Sequence, residues 1–229
     1  MPGAPEPPWR RKPEPPERGD RRPLTRDAIV DAALALLDRE GLGGLSMRKL
    51  AQELDVGTAS LYWHVRDKEE LLGLLLDRIV GEAEVPDPDP DNWQDQVKEM
   101  GRENRRLLQR HRDAAQISLG RIPVGPESMP VLERNLAILV AAGLPPRVVA
   151  LAADLFALYV GGFAFEESMG SQQADTGQLA EYFRSLPAEE FPTLVALADD
   201  LVAGDNDERF EFALELLIRG LEAMANDEA

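Results

Sequence analysis

The chain contains no cysteine among its 229 residues. Disulfide bonds, thiolate metal sites and cysteine nucleophiles are therefore excluded from its chemistry. No apolar run approaches the roughly 18 residues that a membrane-spanning helix needs. Residues 1–22 are rich in Pro, Arg and Glu and lack the apolar core of a secretory signal. We therefore expect a cytoplasmic protein that has no membrane partner.

Basic residues are in the minority, since 25 Lys and Arg stand against 42 Asp and Glu, which gives a formal net charge of −17. Binding to nucleic acid needs basic side chains, so this balance at first argues against it. The charge is uneven, however. Residues 1–80 carry 13 basic and 14 acidic side chains, whereas the remaining residues carry 12 and 28. A nearly neutral N-terminal region can still present a local basic face to DNA, and an acidic remainder limits non-specific binding.

Apolar residues recur at helical spacing, and no stretch shows sustained alternation of β-branched residues. We therefore predict an all-α fold. Pro-rich and Gly-rich breaks divide it into a disordered Pro/Arg-rich arm (1–24), an N-terminal three-helix helix-turn-helix domain (25–80), an acidic Pro linker (81–91) and a larger C-terminal helical domain (92–229). Beyond the linker we predict long helices at about 91–117, 127–142, 146–168, 177–185, 188–203 and 206–225.

The N-terminal domain shows a series of helix starts. Thr25 is a plausible cap for a first helix that ends at Gly41, Ser46 for a second, and Asp67 for a longer fourth. The run Asp55-Val56-Gly57 makes the turn between the second helix and a third that starts at Thr58. Two short helices joined by a short turn with a Gly have the geometry of a helix-turn-helix, although most such pairs are only core.

The third helix carries more bulky side chains than a core can take up. Leu61 and Val65 fill its inward face. The three amphipathic side chains between them, Tyr62-Trp63-His64, therefore cannot all be buried. An exposed aromatic residue is costly unless a partner covers it. The residues left for base edges, thymine methyl groups and phosphates are Thr58, Ser60, Tyr62, Trp63 and His64.

Residues 25–80 resemble the DNA-binding domain of the tetracycline repressor (TetR) family. The resemblance lies in Ser46-Met47-Arg48-Lys49-Leu50-Ala51 and in Leu61-Tyr62-Trp63-His64-Val65 followed by Lys68. It implies that Arg48 reaches bases and phosphates from the second helix, and that Ala59 contacts a thymine methyl group. It further implies base-edge contacts by Thr58 and Ser60 and phosphate contacts by Tyr62, Trp63, His64 and Lys68. Thr58 and Ala59 replace the Gln-Pro of the tetracycline repressors proper, so the operator sequence should differ.

A weaker resemblance to the C-terminal domain of the same family covers most of the remaining chain, for example at 92–94, 110–113, 162–166 and 217–222. It implies that residues 92–229 form a ligand-binding and dimerisation domain, whose long helices pair with a second copy as a four-helix bundle. The helices near 146–168 and 206–225 would supply this interface. Its expected residues are Leu155, Leu158, Phe212, Leu216 and Leu217, for which intrachain core is the alternative.

Most residues that bind tetracycline in the tetracycline repressors are replaced in this sequence. Ser118 stands where the tetracycline repressors have a metal-ligating His, and Met100 and Asn104 replace the Asn and Phe of the drug pocket. Asn135 stands in for the pocket Gln, and Glu166 matches a metal-linked Glu. We therefore expect no metal, no cofactor and no binding of a tetracycline–Mg²⁺ complex.

A cavity for an unknown small-molecule effector is still expected between the helices near 92–117, 127–142 and 146–168. Plain packing is the alternative for each of its residues. The candidate lining is Met100, Asn104, Leu107, Asn135, Phe156, Tyr159 and Phe163.

These observations predict a dimeric, ligand-responsive repressor that binds a palindromic operator in double-stranded DNA. In the dimer the third helices of the two copies would lie about 34–36 Å apart. The helix at 69–82 would transmit the effect of effector binding to the DNA-binding domain. An activator on the same fold and a helical protein-interaction adaptor are the alternatives. An enzyme is not expected, because no nucleophile–base grouping or Gly-rich phosphate loop is present. Arginines of the arm entering the minor groove are a further hypothesis.

Overall fold

The computed structural model describes residues 24–170 and 176–226. The predicted arm at 1–24 therefore lies outside the described residues, except for Leu24. Within the described part of the chain the regular structure consists of eleven α-helices and a short 3₁₀ turn, with no β-strand. The predicted all-α fold is confirmed.

The N-terminal region contains four helices: α1 (Arg26–Glu40), α2 (Met47–Glu53), α3 (Thr58–His64) and α4 (Lys68–Gly81). The three side-chain caps expected from the sequence are present. Thr25 accepts a hydrogen bond from the backbone N–H of Ala28 at 3.1 Å, and Asp67 accepts one from that of Glu70 at 2.8 Å. Ser46 caps α2 in the same way. Each cap satisfies a backbone donor that would otherwise lack a partner in the first helical turn.

The C-terminal region contains the other seven helices: α5 (Trp93–Arg110), α6 (Ala114–Ser118), α7 (Ser128–Ala141), α8 (Pro146–Ser168), α9 (Thr176–Ser185), α10 (Pro192–Ala196) and α11 (Asn206–Asn226). The prediction of one helix over 91–117 is wrong, because the chain turns at Asp113, whose φ is 57°. The Asp113 carboxylate accepts a hydrogen bond from the backbone N–H of Leu42 at 2.6 Å. This contact with the N-terminal region holds the break between α5 and α6.

The prediction of a helix over 188–203 is also wrong. The structure has only the five-residue α10 and a 3₁₀ turn at Asp200–Val202 in that stretch. Pro192 is the first residue of α10, and a proline disfavours helical backbone at the residue before it. Phe191 accordingly has non-helical angles, φ −126° and ψ 51°. The helix that contains Pro192 therefore does not extend back through Phe191 to residue 188.

Two hydrophobic clusters form the core, and α4 contributes to both. One cluster joins α1, α2 and α3 to Leu71, Leu75 and other residues of α4, and the second joins Ile79 to the C-terminal helices. Ile117 of α6 belongs to the N-terminal cluster, in which it is fully buried. A movement of α4 or α6 would therefore reach both regions of the molecule.

Helix α8 is the most apolar helix of the described residues. It is 23 residues long with a mean hydropathy of 2.0 in its most apolar window, and it alone among them is long and apolar enough to cross a membrane. The expectation that no apolar run approaches that length is wrong. Helix α8 packs against α5, α6, α7 and α11, and Phe156, Val160 and Phe163 on its inner face belong to the core. Length and composition alone are therefore weak evidence for a membrane span.

Candidate functional sites

A tight turn sets the angle between α2 and α3. Asp55 in this turn adopts a left-handed conformation, with φ 49°, and the backbone N–H of Val56 donates to the carbonyl oxygen of Ala51 at 3.0 Å. Leu61 and Val65 are fully buried and fix the inner side of α3. Two short helices, the turn and the buried anchors together form a helix-turn-helix.

The outer side of α3 is open to solvent. Trp63 is 68% exposed and Tyr62 is 47% exposed, which confirms that aromatic residues of this helix face outward. Ala59 and Ser60 are also exposed, whereas Thr58 and His64 are half-buried. Hydroxyl, methyl, indole and imidazole groups therefore share one surface, and such groups can contact base edges and phosphates.

The two cations predicted for this surface lie on the neighbouring helices. Arg48 is exposed on α2, and Lys68 is the first residue of α4. The Lys68 ammonium donates to the carbonyl oxygen of Leu42 at 3.2 Å. Because an ammonium has three N–H donors, it can hold this bond and still donate to a phosphate. The structure thus distributes the eight candidate DNA-binding residues over α2, α3 and the start of α4.

A buried polar network that sequence reasoning missed holds the corner between α3 and α4. The Glu70 carboxylate is buried and accepts hydrogen bonds from the backbone N–H and the Nε of Arg66, at 2.7 and 3.0 Å. Arg26 donates to the carbonyl oxygen of His64 at 3.2 Å. The spacing of Asp67 and Glu70 is typical of a capping box and could have indicated this network. The network fixes the C-terminal end of the outward-facing helix.

The corner between α5 and α6 docks on the N-terminal region. The two ring nitrogens of His111 lie 3.1 Å from the Asp38 carboxylate of α1 and 3.2 Å from that of Glu82, which follows α4. Arg112 donates to the carbonyl oxygen of Arg39 at 3.1 Å. These contacts connect the end of α5 with the ends of both α1 and α4.

A second connection joins the middle of α4 to the start of α7. Asp77 is only 3% exposed, and its Oδ1 accepts hydrogen bonds from the backbone N–H of Ser128 at 3.0 Å and from the Ser128 hydroxyl at 2.6 Å. We call this pair the α4–α7 pin. Arg78 and Glu127 form an ion pair beside it at 2.7 Å. The carboxylate also lies at the N-terminus of α7, where a negative charge is favourable.

A cleft of about 40 Å³ opens between the end of α4, α5 and α7, and we call it the α4–α5–α7 cleft. The amide Oδ1 of Asn135 is buried and has no hydrogen-bond partner among the described residues. Three of the candidate ligand-binding residues, Met100, Asn104 and Asn135, lie together here. The full lining is Val80, Ala83, Glu84, Val85, Met100, Glu103, Asn104, Val131 and Asn135.

The other four candidate ligand-binding residues, Leu107, Phe156, Tyr159 and Phe163, belong to the C-terminal core or pack against it and do not line this cleft. The rings of Tyr159 and Phe163 pack on Phe210 of α11, with centroid distances of 5.5 and 5.1 Å. Sequence reasoning had no signal that would separate these four from the cleft residues, because both sets are spaced as buried helical faces.

An arginine covers this aromatic group. The Arg105 guanidinium lies 4.7 Å from the Phe210 ring centroid, and its Nε donates to Glu167 at 2.9 Å. Burial raises the pKa of Glu167, but hydrogen bonds and the positive charge of Arg105 outweigh it, so the pKa is lower than usual. The pair links α5 to α8, and no sequence pattern indicated it.

The positions that match the tetracycline site make other contacts. The Ser118 hydroxyl donates to the carbonyl oxygen of Ala115 at 2.8 Å, and Glu166 pairs with Arg209 at 2.8 Å. Within residues 24–170 and 176–226, no group of three or more His, Asp or Glu side chains could hold a metal ion.

The outer faces of α8 and α11 carry an apolar stripe each. Leu158 is 64% exposed and Phe212 is 71% exposed, and Leu155 and Leu216 extend the two stripes. Leu217, which was expected in the same interface, is partly buried against the core. Large apolar side chains grouped on a surface are typical of an interaction site.

Comparison with known proteins finds two matching family models. The model described as "Bacterial regulatory proteins, tetR family" matches residues 29–75, and "Tetracyclin repressor-like, C-terminal domain" matches residues 85–225. An HTH-type transcriptional regulator of Saccharopolyspora erythraea is 38% identical over 97% of this chain and 94% of its own length. The HTH-type transcriptional repressor DrrR1 of Streptomyces coeruleorubidus is 35% identical over 91% of this chain and 81% of its own length.

The fold also matches solved structures of ActR from Streptomyces coelicolor. The apo form has a TM-score of 0.86 and 46% sequence identity, covering 92% of this chain and 100% of that one. ActR in complex with actinorhodin has a TM-score of 0.84 and 47% identity, covering 89% of this chain and 99% of that one. The similarity therefore spans both the helix-turn-helix and the C-terminal helices.

Proposed function

The chain belongs to the tetracycline repressor (TetR) family, and on that premise we propose which of its residues contact DNA, which join two copies and which bind the effector. It is a ligand-responsive transcriptional repressor that binds DNA through a helix-turn-helix, and members of its family are regulators and not enzymes. The single observation that supports the DNA-binding proposal best is the solvent-exposed pair Tyr62 and Trp63 on the outer side of α3.

In the proposed complex α3 enters the major groove of a near-palindromic operator. Thr58, Ala59 and Ser60 at its N-terminal end contact base edges and thymine methyl groups, because short side chains allow the helix to approach the groove floor. Tyr62, Trp63, His64 and Lys68 contact phosphates on either side of that groove. Arg48 of α2 adds a positive charge, and such contacts fix the register of the protein on the duplex.

Selection of random duplexes by the purified protein, followed by sequencing, would yield the operator, and fluorescence anisotropy would then give its affinity. We expect Arg48→Ala to weaken binding and to reduce the slope of log affinity against log salt by about 1. The matched control is Arg184→Ala, which also removes an exposed arginine, from α9 and outside the helix-turn-helix. Equal affinities for the two variants would contradict the proposed interface.

We propose that α8 and α11 form a four-helix bundle with their counterparts in a second copy. The apolar stripes on these helices support this interface, because each continues onto a glycine: Gly162 on α8 and Gly220 on α11. A Cβ atom at either glycine would meet no atom of another helix or loop within 4 Å among the described residues. Glycine in a helix costs about 1 kcal/mol relative to Ala, and close approach of a partner helix is a physical reason to keep it.

Sedimentation velocity tests this interface. Leu158→Glu should convert the dimer to a monomer, because it introduces a charge into the centre of an apolar interface. The control is Ile122→Glu, since Ile122 is 78% exposed but lies in the connection between α6 and α7, away from both stripes. A Leu158→Glu protein that sediments as the unmodified protein does would overturn the proposed interface.

For the effector we propose the α4–α5–α7 cleft, in the cytoplasm where the operator is. Met100, Asn104 and Asn135 are its candidate ligand contacts. The actinorhodin-bound ActR structure supports a small-molecule effector for this fold. Residues that follow α4 line the cleft, so an effector that spreads it would move the helix to which α3 is fixed. Such coupling between two sites typically changes affinity by about 5–150-fold.

A further inference from the structure

The polar groups around the α4–α5–α7 cleft are mostly hydrogen-bond acceptors. Glu84 comes from the segment after α4 and Glu103 from α5, so two carboxylates belong to its lining. Ionised carboxylates accept hydrogen bonds and cannot donate them. The other polar side chains of the lining are the amides of Asn104 and Asn135. An occupant of this cleft therefore meets more acceptors than donors.

Asn135 adds an acceptor that nothing else uses. Its Oδ1 is buried between the cleft walls and receives no hydrogen bond from any described residue. A buried polar atom without a partner costs about 1–3 kcal/mol, and structures normally satisfy such atoms. An N–H or O–H group of a bound molecule would remove this cost. The orphan oxygen therefore points to a ligand that carries a donor.

The charge of the lining is negative. No Lys, Arg or His lines the cleft among the described residues. Two arginines lie near its edge, but both have partners: Arg106 pairs with Glu103 at 2.9 Å, and Arg134 donates to the carbonyl oxygen of Val85 at 2.9 Å. Arg106 offsets the charge of Glu103 in part, so the negative charge that a bound anion would meet comes mainly from Glu84.

We propose that the α4–α5–α7 cleft selects effectors that are neutral or cationic, have a small apolar ring system, and donate a hydrogen bond to Asn135, and that it rejects carboxylates and phosphates. This proposal rests on the assignment of the cleft as the effector site. The apolar part of the ligand lies against Val80, Val131 and Met100. The cleft offers only about 40 Å³, less than the roughly 300–1,000 Å³ of small-molecule pockets, so a ligand of one or two fused rings must spread its walls as it enters.

Four naphthalene probes separate the effect of a hydrogen-bond donor from the effect of charge, because they share one ring system and differ at one substituent. 2-Naphthol is a neutral donor, naphthalen-2-ylmethylammonium is a cationic donor, 2-methoxynaphthalene has no donor, and 2-naphthoate is an anion at pH 7. Isothermal titration calorimetry on the full chain would measure their affinities. We expect the two donors to bind at least about tenfold more tightly than the methoxy compound and the anion, as one satisfied buried hydrogen bond would give.

Two variants test whether these differences in affinity arise in the α4–α5–α7 cleft. Asn135→Leu should lower the affinity for 2-naphthol about tenfold and leave that for 2-methoxynaphthalene unchanged or higher. Glu84→Gln should reduce the preference for the ammonium over 2-naphthol. The control is Glu133→Gln, which lies exposed on α7 outside the cleft. The comparison of the four probes on the unmodified protein remains decisive if a variant does not fold.

Tight binding of 2-naphthoate, equal affinities for all four probes, or no binding of any of them would overturn the proposal. The same protein samples would also be tested for operator binding. Intact operator binding together with failure of the probes would refute only the ligand class. If the unmodified protein does not bind the operator, the DNA-binding function is refuted instead.

Discussion

The α4–α7 pin allows a quantitative test of how α4 is held. Asp77→Ala removes an acceptor that receives two hydrogen bonds from Ser128, and it leaves the backbone N–H and hydroxyl of Ser128 buried without a partner. Buried hydrogen bonds to a charged group contribute about 1.5–3 kcal/mol each. We therefore expect the free energy of unfolding to fall by about 3–5 kcal/mol.

Ser128→Ala removes only the hydroxyl donor and should lower the free energy of unfolding by about 1.5–3 kcal/mol. The double variant should be no less stable than Asp77→Ala alone, so the coupling free energy should also be about 1.5–3 kcal/mol. Gly125→Ala perturbs the pin without removing its groups. A Cβ at this position would overlap the Asp77 carboxylate, and such overpacking costs about 1–3 kcal/mol.

Urea unfolding followed by circular dichroism would measure these values at one fixed protein concentration, because the stability of the proposed dimer would depend on concentration. Glu133→Ala on the exposed side of α7 is the control. Operator affinity should fall at least about fivefold in Asp77→Ala, since α4 carries the DNA-binding helices and loses its fixed orientation. Additive effects of the two single substitutions, or unchanged operator affinity, would refute the role given to the pin.

Three further outcomes are expected. Because the pKa of Glu167 is lowered, its pair with Arg105 contributes fully to stability above the ordinary pKa of 4.5, and this contribution is lost as the pH falls below that value. Arg105→Met should therefore flatten the fall in thermal stability between pH 5 and 3. An unchanged slope would argue against the pair. Deletion of residues 1–22 should weaken operator binding and flatten its salt dependence, whereas equal affinity would exclude a groove contact by the arm. A tetracycline–Mg²⁺ complex should not bind, because Ser118 offers no imidazole ligand; submicromolar affinity by fluorescence titration would contradict this.

Local signals predicted much of the N-terminal region. Thr25, Ser46 and Asp67 cap helices as expected, because a cap depends on residues within one turn of it. The exposure of Trp63 followed from counting bulky side chains on a helix whose inward face was already filled. The proposed DNA-binding surface could therefore be assembled from residues close together in the sequence.

The parts that sequence reasoning missed depend on contacts between distant residues. Asp113 adopts a left-handed conformation, and its carboxylate binds the backbone of Leu42, 71 positions earlier in the chain. Helical periodicity over 91–117 continues through this corner, so no local pattern indicated the break. The Asp77–Ser128 contact likewise joins residues 51 positions apart. Periodicity identifies which face of a helix is buried but not the helix that covers it.

The two apolar sides of α8 leave the helix little room for neutral sequence change. Its inner residues Phe156 and Phe163 pack in the core, while Leu155 and Leu158 lie on the opposite side. In the proposed four-helix bundle, an inner side chain of another size that shifts this close-packed helix would also change the surface that meets the second copy.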